Sequence, residues 1–315
     1  MRRSHTRGAS DSCARRRPEA RRLAGVAVAA LAVGLAACSS TAPAKGTESP
    51  SGAASTTAGT AAAAAVPRPA HTVIVMLENR GYGQVIGSSQ APFINGLARQ
   101  GALFTHSYAI SHPSEPNYLA MFSGSTHGVE SDTCPVTFSS SNLASDLLAA
   151  GDTFTGYAEG IPSTGSRLCL DGEYARKHVP WTDFTNVPAS LSQPFTSFPS
   201  DFSTLPTVSW VVPNLCDDMH DCSVATGDSW LRTHLSSYVN WAKTHDSLLI
   251  VTFDEDEGTD VNQIPTIFVG QQVRPGSYPE RITHYSVRAT IEAAYGIARD
   301  GAAASAAPIS DVWRS

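Results

Sequence analysis

Four uninterrupted apolar runs constrain this chain more than any other feature. Residues 72–77 read TVIVML, 208–212 read VSWVV, 248–253 read LLIVTF and 266–269 read TIFV. Runs of this kind, without polar alternation, suit strands buried on both faces, as in a parallel sheet covered by helices. Helical patterns fall between them at 93–100 (closed by Gly101), 116–122, 142–150 (closed by Gly151), 228–243 and 286–295. Asp228 is the expected N-cap of the 228–243 helix. Residues 102–108 and 153–158 read as further strands. This alternation predicts an α/β sandwich with a mostly parallel central sheet between helices. Residues 159–206, rich in Pro, Ser and Phe, read as a long loop or cap over a site.

The amino-terminal 69 residues carry a different message. Arg15, Arg16, Arg17, Arg21 and Arg22 precede a short apolar run at 23–35. The run is too short to span a bilayer and has the length of a signal-peptide core. It ends in Leu35-Ala36-Ala37-Cys38, small residues before a cysteine, the pattern of a lipoprotein signal with Cys38 as the acylated new N-terminus. The alternative is an ordinary secretory signal cut near Ala44. The expected organisation is a signal peptide at 1–37, a lipidated Cys38 with a Ser/Thr/Ala/Gly tether to residue 69, and a folded domain at 70–315. The expected location is the outer face of the cell membrane, or secretion. Residues 1–37 hold eight Arg and two acidic residues, so their removal leaves 14 basic and 26 acidic residues, a net charge of −12. So acidic a body, without a basic stripe, argues against a nucleic-acid partner and leaves the lipid anchor as the membrane contact.

Beyond the leader remain Cys134, Cys169, Cys216 and Cys222. An even number in an exported chain reads as disulfides. Of the three pairings, Cys134–Cys169 and Cys216–Cys222 join neighbours in sequence and are the expected ones. No CxxC spacing supports a cysteine metal site.

The polar clusters fall where the strands end, and in open parallel sheets that edge binds ligands. Glu78 and Asn79 follow the first run, and a carboxylate with an amide oxygen suits a hard cation. Asp254-Glu255-Asp256-Glu257 follows the third; a solvated acidic loop is the plain alternative. Asp217-Asp218-Met219-His220-Asp221 follows the second and lies between Cys216 and Cys222. His284, just before the last helix, could join that group. Ser114, in His112-Pro113-Ser114-Glu115-Pro116-Asn117-Tyr118, stands at the start of a helix, where the dipole and free N–H groups favour phosphate. A simple N-capping role for Ser114 is the alternative. No G-x-S-x-G elbow is present, so a serine-hydrolase triad has little support. A phosphate near these carboxylates meets about 4 kcal/mol of repulsion per unit-charge pair at ~4 Å and an effective dielectric of ~20. Bound divalent cations are the simplest way to reverse that sign.

Pro113-Ser114-x-Pro116-Asn117-Tyr118, followed by Ser123-Gly124 and His127-Gly128, resembles the nucleophile segment of the alkaline-phosphatase-like superfamily. Together with Glu78-Asn79, residues 214–221, Asp254-Glu255 and Ile282-Thr283-His284-Tyr285, it resembles the bacterial phosphoesterase family of acid phosphatases and phospholipases C, from about His71 to the C-terminus. The nearest likeness is to secreted acid phosphatases acting on phosphatidylinositol 3-phosphate. The resemblance implies a metal-dependent monoesterase with Ser114 as the phosphoryl-accepting nucleophile and Asn117 donating to a phosphate oxygen. It implies Glu78, Asn79, Asp254 and Glu255 at one metal, and Asp218, His220 and His284 at a second metal or at phosphate. Glu255 stands where the zinc phosphatases have His, and Asp218-x-His220 replaces their wider spacing, so metal identity and number stay open. Arg176, Lys177 and His178 read either as headgroup contacts or as a solvated basic turn. A phospholipase C-type diesterase and a non-catalytic surface binding lipoprotein are the alternative functions.

Overall fold

The computed structural model describes residues 65–314. The expected signal peptide, the lipidated Cys38 and most of the tether lie outside them. The first apolar run is β1 (His71–Leu77). It is followed by α1 (Tyr82–Val85), α2 (Pro92–Gln100), β2 (Ala102–Tyr108), α3 (Ser114–Ser123), α4 (Leu143–Ala149) and β3 (Phe154–Ala158). A two-residue hairpin, β4 (Leu170–Asp171) and β5 (Tyr174–Ala175), precedes β6 (Ser192–Pro194) and β7 (Val208–Val212). Then come α5 (Val224–Ala242), β8 (Ser247–Phe253), β9 (Thr266–Gly270), β10 (Gly276–Thr283) and α6 (His284–Tyr295).

Eight strands form one sheet in the order β10-β2-β9-β8-β1-β7-β3-β6. β9 runs antiparallel to both its neighbours, β8 and β2, while the other pairings are parallel. The expected α/β sandwich with a mostly parallel sheet is therefore the fold. β1 is central, and its side chains alternate between the two faces. Ile74 and Met76 join Phe104, Phe122, Trp210 and residues of α3, α4 and α6. Val73, Val75 and Leu77 join Leu97, Leu231, Leu235 and Tyr238 of α2 and α5. Burial on both faces is why these runs carry no polar alternation.

Three local features depart from the sequence pattern. α5 begins four residues before Asp228, capped by Ser223, whose Oγ accepts from the Thr226 N–H. Asp228 instead accepts from the N–H groups of Phe93 (3.1 Å) and Ile94 (2.8 Å), at the start of α2. It caps a different helix, one whose own N-cap, Ala91, offers no side chain to do so. β10 was hidden because GSYPERIT is polar, contains Pro and lies at the sheet edge, with a register shift between Tyr278 and Arg281. The 159–206 segment is not a plain loop: it holds β4, β5, β6 and several 3-10 turns, and it sends Trp181 into the core. A Cβ at Gly156 in β3 would lie 2.1 Å from the Trp181 ring, so glycine is what allows that approach. Among the described residues no helix is long and apolar enough to cross a membrane.

Candidate active site

The site grows from the carboxyl ends of β1, β7 and β8, which are adjacent in the sheet. Glu78 follows β1 and is fully buried, as are Asp218, after β7, and Asp254, after β8. The backbone ties these ends together: the Glu78 N–H donates to Asp218 O (2.8 Å) and the Asp254 N–H to Leu77 O (2.9 Å). Asn79, at φ 49°, donates its own N–H to Asp254 Oδ1 at 3.0 Å.

Ser114 is the first residue of α3 and is buried against this cluster. Its Oγ lies 3.0 Å from Glu78 Oε2 and 3.2 Å from Glu255 Oε1, and its single proton serves one of them at a time. Glu255 is clasped on its other oxygen by His112 Nδ1. The positive end of the α3 dipole faces the same place, a favourable field for an anion, although the Glu115 N–H is taken by Asp132 and Pro116 has none to offer.

The structure brings His178, read from the sequence as a headgroup contact or part of a solvated basic turn, to the buried centre of the cluster. Its ring sits between Glu78 Oε1 (3.1 Å from Nε2) and Asp218 Oδ2 (3.3 Å from Nδ1) and stacks on Tyr118 at 5.0 Å. His220, on the loop stapled by the Cys216–Cys222 disulfide, faces it with ring centroids 5.7 Å apart. Glu78, His178 and His220 offer ligand atoms all within 4.8 Å of one another. The Cys134–Cys169 disulfide also forms. His284, the first residue of α6, donates through Nε2 to Asp254 O at 2.7 Å.

The neighbouring basic residues separate by role. Arg176 is buried and pairs with Asp183 at 2.8 Å, so it holds the fold and not a headgroup. Lys177 pairs with Asp132 at 2.6 Å at the edge of the site, and Asp132 in turn accepts the Glu115 N–H at the start of α3. Asn117 departs from its expected role. Its carbonyl accepts from the N–H groups of Ile110 and Ser111, and its NH2 donates to the carbonyls of Ser111 and Pro113. Both of its donor hydrogens are therefore spent on the turn before Ser114, and none is left for a phosphate oxygen.

The electrostatics are those of crowded acids. Burial, then the charges of Asp254 and Asp218, pushes the Glu78 carboxyl well above its ordinary range. Burial, then Glu255, raises Asp254 to about 7. Burial holds His178 and His284 neutral, His284 down to about 4. Neutral imidazoles with lone pairs are metal ligands, not counterions.

A divalent cation fits this donor set. Glu78 Oε1, Asp218 Oδ2, Asp254 Oδ2, His178 Nε2 and His284 Nδ1 are all buried without a hydrogen-bond partner. Buried polar atoms are rarely left so, and of these acceptors those of Glu78 and His178, together with His220, lie within 4.8 Å of one another, close enough to share a cation. Of the residues expected at metal, Glu78, Asp218, Asp254, His220 and His284 gather here. The carboxylate of Glu255 faces Ser114, and Asn79 contributes its backbone. His178 was missed because it lies 100 residues from Glu78 in a segment without periodicity.

Comparison with known proteins places the chain in a family. The profile of the Phosphoesterase family matches residues 88–298. A phosphatidylinositol-3-phosphatase of Mycobacterium tuberculosis is 55% identical over 255 residues, covering 80% of this chain and 85% of that protein. An acid phosphatase of Aspergillus fumigatus is 31% identical over 250 residues, covering 71% of this chain. A phosphate-repressible acid phosphatase of Penicillium chrysogenum is 33% identical over 228 residues, covering 65% of this chain. The chain spans 54% of the length of each fungal protein. A solved protein of the alkaline phosphatase superfamily from Vibrio parahaemolyticus shares the fold, with a TM-score of 0.52 at 14% identity over 74% of this chain and 68% of that one.

Proposed function

The chain belongs to the Phosphoesterase family, and we propose that it is an exported, metal-dependent phosphatase that hydrolyses phosphate monoesters through a phosphoserine at Ser114. The observation that carries this reading is the Ser114 hydroxyl at the head of α3, hydrogen-bonded into Glu78 and Glu255 inside the carboxylate and imidazole cluster. Glu78, Asp218, Asp254, His178, His220 and His284 are the residues that would hold the cation. A divalent ion there offsets the carboxylates' charge toward a phosphate dianion and lowers the pKa of the serine hydroxyl.

The chain's own residues do the rest. Glu255, whose carboxyl is raised by burial, accepts the Ser114 proton, and His112 holds that carboxylate in place. The Ser114 oxygen forms a bond to phosphorus as the bond to the ester oxygen breaks; the leaving alkoxide takes a proton from water, and Glu255 later returns its proton to the Ser114 oxygen. Water then hydrolyses the phosphoserine, releasing phosphate and restoring the hydroxyl. The positive end of the α3 dipole favours the phosphate dianion at Ser114, and Asn117 keeps the preceding turn rigid. The name of the mycobacterial relative suggests phosphatidylinositol 3-phosphate as the ester. Export is supported by the two disulfides, which persist in oxidising compartments. The signal peptide at 1–37 and lipidation at Cys38 belong to the same proposal.

The test is phosphate release from p-nitrophenyl phosphate and from phosphatidylinositol 3-phosphate by the wild type, Ser114→Ala and chelator-treated protein. Loss in both altered samples with unchanged melting of Ser114→Ala is expected. Activity that survives Ser114→Ala removes the nucleophile. Release of a phosphorylated headgroup in place of inorganic phosphate replaces the monoesterase with a diesterase.

A further inference from the structure

A cavity of about 690 Å³ lies at the β3–β6 end of the sheet, on the face that α5 covers, and takes no part in the chemistry above. Ile161, Phe195, Phe198 and Phe202 line it, together with His234 of α5. The three Phe rings are only half-buried, although the core a few residues away buries its aromatics completely. They form a continuous apolar wall, Phe195 stacked on Phe198 at 5.6 Å and edge-on to His234 at 5.3 Å. Partly exposed aromatics gathered around one concavity mark a ligand surface more than a packing fault.

Its position links it to the reaction. Glu159 and Gly160 follow β3, and Phe195 follows β6, so the cavity opens at the same carboxyl edge as Ser114 and Glu78. In the order β1-β7-β3-β6, with strands about 4.8 Å apart, β3 lies about 10 Å and β6 about 14 Å sideways from β1, the strand that ends at Glu78. One residue touches both regions. Glu159 lines the cavity, and its Oε2 accepts the Asn214 N–H (3.1 Å) at the head of the turn that carries Asp218.

The lining also selects its occupant. It contains no Lys or Arg and has one carboxylate, so a phosphorylated headgroup is repelled and an uncharged chain is accepted. We infer that this cavity is an acyl-chain subsite, taking one fatty acyl chain of a lipid whose terminal phosphate is at Ser114. A sugar ring and a phosphodiester between the two would bridge the gap across β7 and β3. The inference rests on the phosphatase reading and specifies the substrate as a membrane lipid phosphate rather than a soluble ester.

The experiment measures kcat/KM for phosphate release from inositol 1,3-bisphosphate and from dibutanoyl and dioctanoyl phosphatidylinositol 3-phosphate as monomers, with p-nitrophenyl phosphate as reference. Each methylene taken from water should raise kcat/KM by about fourfold, so burial of only two methylenes of one octanoyl chain already puts the dioctanoyl lipid roughly tenfold or more above the bare headgroup. Thr196→Trp, which fills the cavity from an exposed position, and Phe198→Ser should both bring the lipid down to the headgroup value. Both should leave p-nitrophenyl phosphate turnover within about twofold of wild type, a readout that a folding defect would not spare. A wild type that hydrolyses all three inositol compounds without chain-length preference overturns the subsite and leaves the phosphatase intact. Preference that persists in Thr196→Trp overturns it as well. A wild type active on p-nitrophenyl phosphate and inactive on every inositol compound overturns the lipid reading itself.

Discussion

Replacing Asn117 with Asp separates two roles that the residue could play. The oxygen that accepts from Ile110 N (2.9 Å) and Ser111 N (3.0 Å) is retained. The two N–H donors to Ser111 O (2.9 Å) and Pro113 O (3.2 Å) are lost, and an anion then faces those carbonyls. Two buried hydrogen bonds at about 1 kcal/mol each, plus the repulsion left behind, give a cost of roughly 2–4 kcal/mol. For a domain of about 250 residues this is a fall in Tm of roughly 5–15 °C, read by calorimetry. Because the clamped turn sets the start of α3, the Ser114 oxygen loses its alignment, and kcat should fall by about a hundredfold with KM little changed. An unchanged Tm with a raised KM would refute the clamp and return Asn117 to the phosphate-donor role expected from the sequence.

Three further outcomes follow from the same geometry. Asp228→Ala strips α2 of the carboxylate that caps Phe93 and Ile94, and should cost about 1–2 kcal/mol in urea unfolding while leaving KM unchanged. The Cys134→Ser, Cys169→Ser double variant opens a closure of 35 residues, so it should lose about 4 kcal/mol of stability; a Tm within a degree of wild type would contradict it. Burial and the neighbouring Asp311 carboxyl raise Glu280 to about 7 on edge strand β10. A carboxyl whose folded pKa exceeds its unfolded one stabilises below the unfolded value and loses that contribution as pH rises through 7. The side chain is partly exposed, so the effect is a few degrees at most; Glu280→Gln should lose less Tm between pH 5 and pH 8 than wild type does, and parallel melting curves would exclude the effect.

Much of the site was legible because its signals are local. A Ser before a helix, Glu78 directly after an apolar strand and Asp254-Glu255 after another need only their immediate neighbours to be recognised. The two disulfides were readable for the same reason, each joining consecutive cysteines. What failed were assignments that depend on the direction a polar side chain takes. Asn117 stands where an amide could meet phosphate, yet its carbonyl and NH2 are consumed by residues 110–113. Asp228 has the composition of an N-cap and performs that function, but for α2 rather than for α5, in which it lies.

The sequence by itself determined the strands β1, β7 and β8, since an uninterrupted apolar run cannot be solvated on either face and must be buried on both. It also determined that the acidic residues cluster at their ends. Tertiary structure alone decided that these ends are adjacent, that β9 reverses direction, and that the polar strand β10 completes the edge. It alone inserted His178 between Glu78 and Asp218. Periodicity reports how one segment meets solvent and core. Which distant polar atoms share a buried space is set by how the layers pack, and no single segment encodes that.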